Sequence, residues 1–164
     1  MELIQAGCKN VLQFRGSSNV QSPALSRHIV FEEIIRENGL GYHEIVTDIN
    51  DLSQNTAQKV AENFFEKYPD VDGIFGTDLM VMSVMKLAKE RGVDIPGRLK
   101  VVGYDGTIIS RLATPGLTTI CQPIEELAKQ SVRIMMDLIS GKKTEGDDVH
   151  LSVTLHKDRS TALD

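Results

Sequence analysis

The residues of this chain that could do chemistry are three carboxylates and a guanidinium, each beside a run of apolar residues. Asp105 ends the run in VVGYDGT and has Gly103 and Gly106 on its two sides; Asp78 follows Thr77 just after Val71 to Phe75; Asp48 follows His43 to Thr47; and Arg27 stands near the start of an amphipathic stretch. An ionised carboxylate accepts two hydrogen bonds from adjacent hydroxyls, and a planar guanidinium donates two, so this set suits a small polyhydroxylated ligand. By itself a carboxylate at a strand end also fits a nucleophile, a metal ligand or a phosphate acceptor. Each residue has a plainer use as well. Asp78 behind Thr77 suits the amino terminus of a helix, Asp48 a turn, and Arg27 a solvated helix face. Asp105 is set apart by its glycines, which allow the backbone around it to turn tightly.

The competing chemistries lack their partners. The run Val11 to Phe14 ends in Arg15-Gly16 without the acidic pair a phosphate acceptor needs. Gly39 and Gly41 lack the third glycine of a dinucleotide fingerprint, and there is no GxxxxGKS/T phosphate loop. The four histidines show no HExxH or Cys/His ligand spacing, and no GxSxG elbow occurs. No cofactor and no metal are expected. Cys8 and Cys121 read as small apolar fillers, and Phe64, Phe65 and the methionines 80, 82, 85, 135 and 136 as core at helical spacing.

The positioning elements alternate. Strands are expected over Val11–Phe14, His43–Thr47, Val71–Phe75, Leu99–Gly103 and Leu117–Cys121. Helices are expected over Ala24–Asn38, from an Asp51 or Ser53 cap to Lys67, from a Thr77 cap to Gly92, and from Pro123 to Gly141. Val149–His156 alternates apolar and polar residues as a half-exposed strand near a sheet edge would. Apolar strands in series with helices give the fold class α/β, a doubly wound, mostly parallel sheet. In such sheets ligands bind outside the carboxyl ends of the strands, which is where Asp48, Thr77, Asp78 and Asp105 fall.

The 164 residues suffice for one domain, and a formal net charge of -5 gives no surface that would grip nucleic-acid phosphates. MELIQAGCKN has no basic region followed by an apolar one, no run is long enough to cross a membrane, and the two distant cysteines suit a reducing compartment. A cytoplasmic location is the expectation.

With these pieces in order, the chain resembles the effector-binding domain of the lactose-repressor and galactose-repressor family, whose fold is the periplasmic-binding-protein-like type I. The resemblance is carried by LIQAGCKNVLQFRG, SRHIVFEEIIRENG, VDGIFGTDLMVMSVMKLAKERGVDIPGRLKVVGYDGT and PGLTTICQPIEELAKQSVRIMMDLISG. It implies ligand contacts at Arg27, Asp105 and Gln122, with Phe31 where the family often places an aromatic ring. Thr77-Asp78 stands for a frequent Asn-Asp pair, and Gly7-Cys8 for a frequent Gly-His.

The resemblance also implies a partial effector-binding domain, mainly the carboxyl-terminal lobe. Residues 10–121 and 146–160 would form that lobe, and 1–9 and 122–141 remnants of the amino-terminal lobe, with hinge crossings near Phe14, Thr119 to Gln122 and Lys143. The function implied is sensing of a small effector, a sugar or sugar derivative, without catalysis. Operator DNA would be bound, by a dimer, only through a headpiece of the parent protein that does not precede Met1. The rivals are a sugar-binding component of a transporter, and a small hydrolase or phosphatase using Asp105. The face carrying Leu127, Ala128, Val132, Met135, Leu138 and Ile139 would lack its sheet and lead to self-association, or to disorder or relocation of that helix.

Overall fold

Val11, Leu12, Ile74, Val101 and Leu117 have no exposed surface, so the strands that hold them are covered on both faces. The computed structural model describes residues 1–17, 23–47, 54–142 and 149–162. The elements run α1 (Glu2–Gln5), β1 (Asn10–Gly16), α2 (Pro23–Glu37), β2 (Gly41–Thr47), α3 (Gln54–Lys67), β3 (Gly73–Phe75), α4 (Asp78–Glu90), β4 (Lys100–Asp105), α5 (Ile108–Leu112), β5 (Thr118–Cys121), α6 (Ile124–Ile139) and β6 (Thr154–His156). The sheet order is β2-β1-β3-β4-β5-β6. All neighbours are parallel except β5 and β6.

Because side chains alternate along a strand, consecutive apolar residues feed opposite layers. Leu12, Ile74 and Val101 join Phe64, Val81 and Val84 on the face covered by α3 and α4. Val11, Phe75 and Val102 join Leu3, Cys8 and Ile35 on the face covered by α1 and α2. The doubly wound layer expected from the strand pattern is therefore present. Cys8 is the filler it was expected to be, with its thiol pushed up to about 12, mainly by burial and then by Asp72.

Beyond shifts of a residue or two at the strand ends, the elements depart from expectation in places. Residues 1–9, assigned above to another lobe, place Leu3 and Cys8 inside this domain's own core. The strand expected from Val149 begins only at Thr154, which pairs with Cys121, the last residue of β5. The short α1 and α5 are new, since four and five residues are too few to show a helical period. The cap candidates Asp51 and Ser53, the crossing near Lys143 and residues 146–148 lie outside the described residues.

Candidate ligand site at the carboxyl edge of the sheet

The strand order reverses between β1 and β3, and parallel strands open a crevice at their carboxyl ends where this happens. Asp105 is the last residue of β4, and Gln122 follows β5. The two are joined twice. The Gln122 side-chain amide donates to Asp105 Oδ1 at 2.8 Å, and the Gln122 backbone N–H donates to the Asp105 carbonyl at 3.2 Å. One amide thus orients the carboxylate while leaving its other oxygen to accept.

Asp105 has φ +116°, in a region that side chains with a Cβ rarely adopt, and Gly106 continues the turn at φ +70°. The tight turn therefore falls on Asp105 and Gly106. Gly103 lies within β4 and has another purpose: a Cβ there would collide with a carboxylate oxygen of Asp78. Burial pushes the Asp105 carboxyl above its ordinary value, the Gln122 hydrogen bond opposes this, Asp78 adds to it and Arg27 opposes it. A carboxylate so placed gains from donors that a ligand would bring.

Arg27 approaches the same rim from α2. Its guanidinium carbon stands 3.9 Å from the centroid of the Tyr104 ring, the residue before Asp105. Thr77 occupies the residue before α4, yet its hydroxyl makes no capping bond. The structure thus brings Arg27, Asp105, Gln122 and Thr77 to one edge, all partly exposed.

Asp78 and Phe31 are turned inward. Asp78 has no exposed surface. One of its oxygens accepts from the Thr107 backbone N–H and from the Thr107 hydroxyl, both at 2.7 Å, and the other accepts from the Thr119 hydroxyl at 2.6 Å. Its carboxylate ties the start of α4 to the turn after β4 and to β5, so it holds the site together from beneath. Phe31 stacks on Phe75, with ring centroids 4.7 Å apart at 19°. Asp48 lies outside the described residues.

A polar network below α2 escaped the sequence reading. Buried Gln13 donates through Nε2 to His28 Nδ1 at 2.9 Å, the tautomer in which Nδ1 accepts, and takes the Tyr42 hydroxyl on its oxygen at 3.2 Å. Tyr42 also reaches Glu44, which forms a two-pronged pair with Arg15 at 2.7 and 2.9 Å. The signal was present as a period of two: Gln13 and Arg15 alternate with Leu12 and Phe14, and Tyr42 and Glu44 with His43 and Ile45. Burial, then the charges of Arg27 and Arg15, pushes His28 down to about 4, so it stays neutral near pH 7. Arg15 holds Glu44 below its ordinary value.

Among the described residues no group of three or more His, Cys, Asp or Glu side chains is arranged to hold a metal ion, and no helix is long and apolar enough to cross a membrane. The model of the periplasmic binding protein-like domain matches residues 1–161. A ribose operon repressor from Halalkalibacterium halodurans is 33% identical over 141 residues, covering 85% of this chain and 41% of that protein. A periplasmic binding protein/LacI transcriptional regulator from Alkaliphilus metalliredigens, solved with D-xylulofuranose, superposes with a TM-score of 0.78 at 28% identity, over 98% of this chain and 60% of that one. A LacI family regulator from Arthrobacter sp. FB24, solved with lactose, superposes with a TM-score of 0.82 at 23% identity, again over 98% and 60%. The chain therefore spans less than half the length of the repressor it matches.

Proposed function

Because this chain belongs to the periplasmic binding protein-like domain family, with LacI-type regulators as its relatives, we propose that it is the sugar-sensing part of a bacterial transcription regulator. The observation that carries this reading is the Asp105 carboxylate, oriented by Gln122 at the carboxyl edge of the parallel strands and within the electrostatic reach of Arg27, which rests on the neighbouring Tyr104 ring. Asp105 accepts from ligand hydroxyls, Arg27 donates to ligand oxygens, and Gln122 and Thr77 supply further polar atoms. Asp78 positions the turn that bears Asp105, Phe31 backs the rim through Phe75, and Asp48 is a candidate on sequence grounds alone.

The chain acts by binding, without catalysis. The ligand biases one arrangement of the regulator over another by binding it more tightly. Operator DNA is contacted by another part of the regulator, in keeping with the net charge of -5 of this segment. The curated relatives are regulators, which favours this reading over a transporter component.

Thermal unfolding against D-ribose, D-xylulose, lactose and cellobiose tests the proposal. A sugar present at a hundred times its dissociation constant adds about 2.7 kcal/mol, a rise of several degrees for a chain of this length. The expected result is a rise with one sugar class that shrinks in Arg27→Ala and disappears in Asp105→Ala. A melting temperature unmoved by all four sugars overturns it.

A further inference from the structure

Arg27 and Phe31 stand one helical turn apart on α2, so both face the same strip of sheet. Phe31 and the two rings beneath form a series. Phe31 stacks on Phe75, Phe75 meets Tyr104 edge-on with centroids 6.4 Å apart at 86°, and the Tyr104 ring lies under the Arg27 guanidinium at 3.9 Å. Arg27 forms no ion pair among the described residues. At 3.9 Å the guanidinium carbon is within stacking distance of the ring, and a guanidinium that stacks by its face engages none of its N–H groups, which all lie in its plane. The ring therefore restricts the plane of the fork and leaves the donors available.

We propose that Tyr104 is the positioning residue for Arg27: its ring, braced by Phe75 and Phe31, sets the plane in which the guanidinium presents its donors and so selects ligands with two adjacent oxygens in that plane. The assignment rests on the sugar-sensing reading above and adds to it the residue that orients the donor. Tyr104 does this without touching the ligand. A long, flexible side chain loses rotamer freedom when it takes hold of a ligand, and a fork already stacked on a ring has less to lose.

The test compares Tyr104→Phe, which keeps the ring, with Tyr104→Leu, which removes it. In the ligand-free chain, NMR should show the Arg27 side-chain protons shifted upfield by the ring current in the unsubstituted protein and in Tyr104→Phe, and unshifted in Tyr104→Leu. With D-ribose as the probe, Tyr104→Leu should weaken binding about tenfold, the size of one good cation–π contact, while Tyr104→Phe stays within about twofold. On an Arg27→Ala background Tyr104→Leu should cost nothing further. Dispersed amide spectra establish that each variant is folded. The proposal is overturned if the Arg27 protons show no ring-current shift, or if Tyr104→Leu weakens binding equally with and without Arg27. If the unsubstituted chain takes up no D-ribose, the sugar-sensing reading loses support, and the ring-current comparison decides the Tyr104 assignment by itself.

Discussion

Asp78 and Thr107 are bound twice through one oxygen, which receives the backbone N–H and the hydroxyl of Thr107 at the same 2.7 Å distance. The other carboxylate oxygen receives Thr119. This fully buried carboxylate accepts three hydrogen bonds, and an amide in its place would turn an NH2 group toward at least one of these donors in place of a charged oxygen. Asp78→Asn is expected to destabilise the domain by about 1–3 kcal/mol, lowering the melting temperature by roughly 3–10 °C. Thermal unfolding checks it; an unchanged melting temperature would remove Asp78 from its place as the tie beneath the site.

Asp105 holds φ +116°, a backbone conformation that glycine adopts without strain. Strain of this kind costs about 1–3 kcal/mol, so Asp105→Gly should unfold at a temperature equal to or above that of the unsubstituted chain. The same substitution should abolish the ligand-induced rise. Opposite changes in stability and binding, read from one unfolding experiment, would mark strain kept for function; a clear loss of stability would refute it.

His28 makes stability depend on pH. Its ordinary value of 6.5 applies to the unfolded chain, and about 4 to the folded one. Between those values the unfolded chain binds a proton that the folded chain refuses, so stability falls as pH drops from about 6.5 to 4 and levels off below. The loss is on the order of 1–3 kcal/mol. Glu44, held low by Arg15, gives stability that is present above its unfolded value of 4.5 and lost as pH falls through its lower folded value. Asp105, held high, acts in the opposite sense. His28→Gln should flatten the slope from pH 6.5 to 4.5 while the steeper fall at lower pH persists. Equal slopes in the two proteins would contradict the assignment.

Helix α6 buries none of its side chains, and Ile124, Leu127, Val132, Met135, Leu138 and Ile139 are each 45% or more exposed. An apolar stripe of this extent drives association, so the chain is expected to self-associate at micromolar concentrations. Leu127→Glu with Met135→Glu should restore a monomer. Sedimentation velocity distinguishes the outcomes, and a monodisperse monomer before substitution would sink the idea.

The fold was legible because the strands are wholly apolar and punctuated by helix ends. Val11, Leu12, Ile74, Val101 and Val102 announce a sheet covered on both sides, and a parallel sheet needs the crossovers that the amphipathic stretches provide. At the site, the sequence placed candidates near the strand ends without distinguishing Asp78, which is buried, from Asp105, which is partly exposed. Asp78 read as a ligand contact or a helix-start charge because nothing local reveals that Thr107 and Thr119, 29 and 41 residues away, converge on it. Gly103 looked like part of a turn, yet its lack of a side chain makes room for Asp78. Tyr104 was passed over because a ring next to an aspartate in a strand becomes significant only once α2 sets a guanidinium on it.

The solitude of α6 also bears on cooperativity. Helices of this length without tertiary contacts are marginal in water, since nucleation is costly and only packing of the apolar face repays it. The 16 residues of α6, none of them fully buried, are expected to open independently, so their amides should exchange with deuterium long before those of β1, β3 and β4. If a second copy is what covers its stripe, helix and assembly form together, and the helical content of this chain becomes a function of its own concentration.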